Sequence, residues 1–235
     1  MKINGWITNT LTLMCLLASS SSVAANISLA DWAFNVDGTI YENFSGDAMP
    51  TSGSLDASGL GTLTLEITGT GSHSVVAFFD FDIDNATNSY FNEYASTTNL
   101  SLLATGQSWE VDEPGYVFGD IYDNMLAGVL DNANSVELAN PDDVSFALGW
   151  DFTLNVDEVA SISFSLQGSM PTTGFYLTQT DPDSNNGVGE SLYFSSVLEV
   201  KSVAAKPIPA PSTLLLFGLG LFAFNRVGIG NSKRY

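Results

Sequence analysis

Positive charge is nearly absent from this sequence, which has six lysines and arginines against 26 acidic residues. No lysine or arginine lies between Ile3 and Val200, whereas every acidic residue lies between Asp31 and Glu199. Nucleic-acid binding needs cations that displace phosphate counterions, and anionic substrates need an arginine or lysine clamp. Residues 26–200 are therefore not expected to bind nucleic acids, anionic substrates or anionic lipid surfaces. Uncharged polysaccharides and cations such as Ca²⁺ remain as candidate ligands.

Cysteine and histidine are equally scarce, with one of each. Cys15 lies in an N-terminal segment that we expect to be removed, so the mature protein is predicted to have no disulfide and no cysteine nucleophile. His73 follows a glycine-containing turn, and no Gly-x-Ser-x-Gly motif accompanies it. We therefore interpret His73 as a surface-loop residue rather than a member of a catalytic triad.

Residues 1–25 have the pattern of a cleavable export signal. Lys2 is the only charge in the first thirty residues, and an apolar run follows at 11–18. Val23 and Ala25 are small residues where signal peptidase requires them, which predicts cleavage before Asn26. The apolar run is too short for a membrane anchor, since a spanning helix needs about 20 residues.

Residues 26–203 are predicted to form one all-β domain, an antiparallel β-sandwich or jelly-roll-like fold. Apolar and polar residues alternate with a period of two, which is typical of strands with one buried and one wet face. Many short strands separated by glycine-marked turns favour a sandwich. The clearest alternating segments are 62–68, 74–84, 145–156, 160–166 and 192–200, the last interrupted by Ser196.

Two short connections and one helix complete the prediction for this domain. Residues 69–71 and 155–158 are interpreted as hairpin turns. Asp120 is predicted to cap a helix of about ten residues that carries Ile121, Met125 and Val129 on one face.

The C-terminal thirty residues have a three-part order: proline-rich turn, apolar stretch, basic end. Residues 204–208 are predicted to be an extended linker. The unbroken apolar run 214–224 is followed by Arg226, and two further basic residues, Lys233 and Arg234, lie near the end. Positive residues favour a cytoplasmic C-terminus, which leaves the 26–203 body outside the cell.

Residues 209–235 resemble the PEP-CTERM sorting signal. The resemblance rests on Pro209, Ala210 and Pro211, the glycine-punctuated apolar helix after them, and Arg226 at the basic end; the family usually has glutamate where Ala210 stands. It implies that an exosortase processes the tail after a transient stay in the inner membrane, and that the protein reaches the cell surface or an exopolysaccharide matrix. A plain short membrane anchor is the alternative.

Three segments of the body are also similar to uncharacterised β-rich bodies that carry this tail. This resemblance implies no activity. The segments are 78–84, 106–115 and 174–178.

A candidate Ca²⁺ loop follows one predicted strand. Asp181, Asp183 and Asn185 present oxygen ligands at alternate positions, and Glu190 could add another. The alternative is a polar turn, which Asp-Pro and Asn-Gly favour by themselves. Asp80, Asp82 and Asp84 share the same spacing, but we interpret them as the charged outer face of a strand.

Glu110, Asp112 and Glu113 offer a candidate acid/base pair for glycoside cleavage, with Trp109 and Tyr116 nearby to stack on a sugar ring. The alternative is a loop that ends at Pro114, with Trp109 in the core. A sequence this acidic brings carboxyl groups close together by chance. No catalytic residue is therefore predicted, and no cofactor other than Ca²⁺.

These observations predict an exported, surface-sorted protein with a structural or adhesive role in the cell envelope or exopolysaccharide matrix. A carbohydrate-binding module is the second hypothesis, and a glycan-active enzyme ranks third. An exposed row of aromatic side chains would favour sugar binding, whereas a concave carboxylate pair would favour the enzyme. Signal peptidase and exosortase are the predicted processing partners, and exopolysaccharide is the candidate ligand.

Overall fold

The computed structural model describes residues 27–84, 89–115, 117–183 and 189–203. These residues form an all-β domain with a single short helix, α1, Ile121–Ala127, which confirms the predicted fold class. The strands are β1 Ile27–Val36, β2 Thr39–Glu42, β3 Ser52–Leu55, β4 Gly61–Thr68, β5 Gly71–Ile83, β6 Tyr94–Thr97, β7 Gln107–Asp112, β8 Ser145–Leu154, β9 Glu158–Gln167, β10 Tyr176–Asp181 and β11 Glu190–Ser202.

The strands pair into two antiparallel sheets. The first has the order β2-β1-β5-β8-β7, and the second has the order β3-β4-β9-β11-β10-β6. Long ladders join the central strands; Phe78 pairs with Ala147 between β5 and β8, and Ile162 pairs with Leu198 between β9 and β11. The period-two alternation therefore gives each sheet one apolar face, and these two apolar faces pack against each other.

Phenylalanine fills the space between the sheets. The ring of Phe194 on β11 lies 5.2 Å from that of Phe79 on β5 and 5.2 Å from that of Phe146 on β8. Phe34 and Phe164 make an edge contact across the sheets at 5.8 Å. All five side chains are fully buried, so each adds about 1.5–3 kcal/mol of hydrophobic stabilisation to the fold.

The outer face of the five-stranded sheet is also covered, which the sequence analysis did not predict. Ile121 and Met125 of α1 pack with Phe78, Ala147 and neighbouring residues into a second apolar cluster. Alternation alone assigned this face to solvent. It is buried because α1 and the residues after it lie across the middle of β5 and β8.

Helix α1 begins where predicted but is shorter. It ends at Ala127, and Val129 lies outside it with 65% of its surface exposed. Asp120 makes no side-chain capping bond, so that part of the prediction is wrong. At the other end of the helix, the Gly128 backbone nitrogen donates to the carbonyls of the last turn, and Asn35 Nδ2 donates to the backbone oxygens of Met125 and Leu126, each at 3.0 Å.

Both predicted hairpins are wrong. Residues 69–71 join β4 to β5, and residues 155–157 join β8 to β9, so each connection crosses from one sheet to the other. A tight two-residue hairpin occurs at Asp37-Gly38 between β1 and β2, where both residues have positive φ, 51° and 82°. Asp-Gly is a strong signal for this type of turn.

Ser196 interrupts the apolar face of β11 for a structural reason. Its side chain is buried, and its Oγ accepts hydrogen bonds from Trp150 Nε1 at 2.9 Å and from Gln107 Nε2 at 3.2 Å. The hydroxyl thus satisfies two donors that β7 and β8 place inside the sandwich.

The predicted export signal, the linker 204–208 and the apolar helix of the tail lie outside the described residues, as do Pro209, Ala210, Pro211 and Arg226. Within the described ranges, no helix has the length and apolar character needed to cross a membrane.

Candidate functional site

The predicted Ca²⁺ ligands lie at one end of the β10–β11 pair. Asp181 and Glu190 face each other as the last pair of that ladder. Asp181 is fully buried, and its Oδ1 accepts a hydrogen bond from the backbone nitrogen of Asp183 at 3.0 Å. Asp183 is exposed and accepts a hydrogen bond from Asn92 Nδ2 at 2.6 Å. Asn185 lies outside the described residues, so ion binding by this loop stays a prediction.

Asp80 and Asp84 are buried, so the interpretation of 80–84 as a charged outer face is wrong. The start of β8 covers Asp80, whose Oδ1 accepts a hydrogen bond from Ser145 Oγ at 2.9 Å. Burial, followed by the nearby charge of Asp143, raises the pKa of Asp80 to about 7. The prediction placed these aspartates in solvent, whereas neighbouring segments cover this face of β5.

Glu93 is a fully buried carboxyl group near these aspartates. It follows the 3₁₀ turn Tyr90–Asn92 and reaches between the two sheets. Its Oε1 accepts a hydrogen bond from the Ile83 backbone nitrogen at 3.0 Å, and its Oε2 accepts one from Gln179 Nε2. Burial raises the pKa of Glu93 to about 8, and the charges of Asp143 and Asp181 act in the same direction.

A separate acidic group lies on the outer side of the five-stranded sheet. One carboxylate oxygen from each of Glu110, Asp120 and Asp131 lies within 4.8 Å of the others. Both Glu110 oxygens already accept hydrogen bonds, from Asn124 Nδ2 at 2.9 Å and from the Asp131 backbone nitrogen at 3.0 Å. Burial, the largest effect, raises the pKa of Glu110.

Glu110 and Asp112 of the candidate glycosidase pair share one face of β7, and both lie next to Asp120. Glu110 points toward α1, and Asp112 accepts a hydrogen bond from the Asp120 backbone nitrogen at 2.9 Å. Trp109 is buried in the core, where its ring lies 5.9 Å from that of Phe175, so it cannot stack on a sugar. Tyr116 lies outside the described residues.

His73 lies in β5 rather than in a surface loop, and its ring contacts the β1–β2 turn and the β4–β5 connection. Its Nδ1 lies 2.8 Å from Asp37 Oδ2, and its Nε2 lies 3.1 Å from the Gly69 carbonyl oxygen. The hydrogen bond to Asp37 is the main cause that raises the pKa of His73. Since both ring nitrogens face oxygen acceptors, this geometry favours a protonated structural histidine over a general base.

An open aromatic cleft of about 280 Å³ lies near the acidic end of the sandwich. The 3₁₀ turn supplies Tyr90 and Phe91, whose ring centroids are 4.3 Å apart. Phe118 is 69% exposed and lies across from them. The cleft is lined by Tyr90, Phe91, Glu113, Pro114, Val117, Phe118 and Asp143.

Two carboxyl groups lie in this cleft. Asp143 is half-buried, its Oδ1 has no hydrogen-bond partner among the residues described, and burial with the nearby charge of Asp82 raises its pKa to about 6. Burial also raises the pKa of Glu113. The cleft therefore combines exposed rings with hydrogen-bonding carboxyl groups.

Comparison with known proteins identifies the tail rather than the body. Residues 207–227 carry a PEP-CTERM protein-sorting motif. The predicted sorting signal is thereby confirmed, since Pro209, Ala210, Pro211 and Arg226 all fall within the matched segment. The PEP-CTERM motif implies an exported protein that is anchored in the membrane until an exosortase processes it. No curated protein and no solved structure matches the chain.

The sequence analysis missed Glu93, Gln179 and the aromatic cleft. A signal for Gln179 was present, because Leu177, Gln179 and Asp181 alternate on the inward face of β10 and two of them are polar. The cleft had no local signal, since its lining comes from three segments that are each more than twenty residues from the next.

Proposed function

We propose that the exported body is an adhesive protein of the cell surface or exopolysaccharide matrix, and that it binds an uncharged polysaccharide through the aromatic cleft. The observation that carries this proposal is the exposure of Phe91 and Phe118 beside the carboxyl groups of Glu113 and Asp143. Exposed apolar groups that cluster in a concave, polar-rimmed site are characteristic of binding surfaces.

The side chains of the cleft match the two kinds of surface that a sugar presents. Phenylalanine rings give a flat apolar face for the C–H side of a pyranose, and carboxylate oxygens accept hydrogen bonds from its hydroxyl groups. Glu113, whose carboxyl group lines the cleft, offers acceptors to such a hydroxyl.

Charge selects among polysaccharides. Residues 26–200 contain all 26 acidic residues and no lysine or arginine, so an anionic polymer would be repelled at the low ionic strength where screening is weak. A neutral polymer pays no such cost. The sorting motif supports a polysaccharide ligand in a more general way, because it implies an exported protein, which can meet polymers outside the cell.

Affinity measurements on the full-length protein test this proposal. Dextran and galactomannan serve as neutral polymers, and alginate serves as the anionic one. We expect saturable binding to a neutral polymer and none to alginate. The Phe91→Ala, Phe118→Ala double variant should bind about 5- to 160-fold more weakly, since two ring contacts of about 0.5–1.5 kcal/mol each sum to about 1–3 kcal/mol.

Phe44→Ala is the matched control. Phe44 is 90% exposed and does not line the cleft, so its loss should leave the affinity unchanged. If no neutral polymer binds, or if the control variant weakens binding as much as the double variant, the cleft is not the adhesive surface and a purely structural role is left. Release of reducing ends during the assay would instead indicate the glycan-active enzyme.

A further inference from the structure

We propose that Glu93, Gln179 and Asp181 form a binding site for one Ca²⁺ ion at the end of the sandwich where β5 and β10 approach each other. Two of these ligands lie inside the sandwich and were not part of the loop site predicted from the sequence. The inference goes beyond the proposed function, and its test uses no polysaccharide, so either can fail without the other.

Glu93 brings a carboxylate into the gap between the two sheets. Its exposed fraction is 0%, and its oxygens bridge β5, through the Ile83 nitrogen, and β10, through Gln179. Its backbone oxygen also accepts a hydrogen bond from the Asp142 nitrogen at 2.9 Å. These contacts fix the position of the Glu93 side chain.

Gln179 supplies the observation that points to a ligand. Its side chain is 0% exposed, and its Nε2 donates to the Phe81 carbonyl oxygen at 2.6 Å and to Glu93 Oε2. Its Oε1 is buried without a hydrogen-bond partner among the described residues. A buried acceptor left unsatisfied is costly, and native proteins seldom retain one without a water, an ion or another partner.

The amide geometry places this oxygen beside the carboxylate. The nitrogen and oxygen of one amide lie roughly 2.3 Å apart, so Gln179 Oε1 is within about 5 Å of Glu93 Oε2, to which Nε2 is hydrogen-bonded. Two oxygens on one Ca²⁺ ion can be separated by as much as about 5 Å, because each lies about 2.3–2.6 Å from the ion. This separation does not exceed the span that one ion can bridge.

Asp181 adds a second carboxylate from the same face of β10. Residues two apart on a strand share a face, and Asp181, like Gln179, is fully buried. No lysine or arginine occurs between residues 3 and 200, so a cationic side chain from that stretch cannot compensate these carboxylates.

The chemistry of the ligands selects the ion. Carboxylate and amide oxygens suit hard cations, whereas zinc and copper prefer histidine and cysteine, and neither residue belongs to this cluster. Ca²⁺ accepts irregular coordination, while Mg²⁺ requires near-octahedral geometry and releases its waters reluctantly. Glu93, which follows a 3₁₀ turn, and two residues of β10 form an irregular ligand set that favours Ca²⁺.

The site would also fix the turn that carries the cleft. Glu93 directly follows Tyr90–Asn92, and Tyr90 and Phe91 of that turn line the aromatic cleft. A cation held by Glu93 would therefore anchor one wall of the cleft to β10.

Calorimetric titration of CaCl₂ into the chelator-treated, full-length protein tests the proposal. We expect one saturable site, with MgCl₂ at matched ionic strength binding at least about tenfold more weakly. Glu93→Gln and Asp181→Asn, which keep the size of the side chain, should each weaken Ca²⁺ binding at least about tenfold. Asp131→Asn, in the Glu110–Asp120–Asp131 group, should leave the affinity unchanged.

Three results would overturn the assignment: no saturable binding by the unaltered protein, full affinity in Glu93→Gln, or an equal loss in Asp131→Asn. Full affinity in Glu93→Gln combined with a loss in Asp181→Asn would place the ion in the 181–190 loop instead. Should Glu93→Gln fail to fold, Gln179→Leu decides, because it removes the buried amide oxygen, which the 181–190 loop site does not use; full Ca²⁺ affinity in that variant would overturn the assignment.

Discussion

Replacement of Ser196 by alanine isolates one buried polar contact of the sandwich. The hydroxyl of Ser196 accepts hydrogen bonds from Trp150 Nε1 at 2.9 Å and from Gln107 Nε2 at 3.2 Å. Ser196→Ala removes this acceptor and leaves a space too small to admit a water readily. Both donors are then left inside the protein without their partner.

The cost of this change follows from the burial of the two donors. An orphaned buried donor costs about 1–3 kcal/mol, and Trp150, which is 5% exposed, has no simple route to water. Gln107 is 8% exposed and its amide can turn, so we assign it the lower end of that range. We expect a total loss of about 2–3 kcal/mol from the free energy of unfolding. For a domain of this size, that corresponds to about 4–12 °C in melting temperature.

Urea denaturation of Ser196→Ala and Ser195→Ala measures the effect. Ser195 is the adjacent residue on the outer face of β11, and its replacement should cost less than about 0.5 kcal/mol. Trp150→Phe in the Ser196→Ala background should cost less than in the unaltered protein, because the indole donor has already lost its acceptor. Equal midpoints for the two serine variants would refute the argument.

Three further predictions concern the core, the pH dependence and the tail. Trp150→Ala should destabilise the protein by about 3–5 kcal/mol and exposed Asp151→Ala by less than about 0.5 kcal/mol, as measured by denaturant melts; equal losses would mean that the facing of β8 is wrong. The pKa of Asp80 is raised from 3.8 to about 7, so the folded state holds its proton more tightly and stability should fall as pH rises from about 4 to about 7, by up to about 4 kcal/mol from this group. Asp80→Asn should flatten that fall in melts at pH 5 and pH 8, and an unchanged slope would contradict the buried, protonated carboxyl. Intact-mass measurement of protein released from cells should show loss of residues 214–224, whereas only full-length chains in the inner membrane would indicate a plain anchor.

Local physics explains which parts of the fold could be predicted. The strands predicted from alternation are all present, namely β4, β5, β8, β9 and β11. They could be predicted because a half-buried strand imposes a period of two on its own sequence. Sheet membership was not predictable in this way. The turn at 69–71 has the composition of a hairpin, but β4 and β5 belong to different sheets, and only the pairing of both with distant strands decides this.

The buried polar groups show the same limit. From the sequence, Ser196 is only an interruption of an apolar face, because the groups that donate hydrogen bonds to it lie on β7 and β8, far away in sequence. Glu93 had no pattern around it, and its burial depends on the docking of β5 and β10 on either side. Asp181 was predicted as a ligand from spacing within its own loop, which is local information.

The most direct test of the proposed function is a binding isotherm on the natural polymer. Protein recovered from the cell surface would be titrated with the neutral exopolysaccharide fraction purified from the same cells. The account predicts saturable binding that the Phe91→Ala, Phe118→Ala variant loses and the Phe44→Ala variant retains. Absence of binding, or equal binding by the cleft variant, would contradict it.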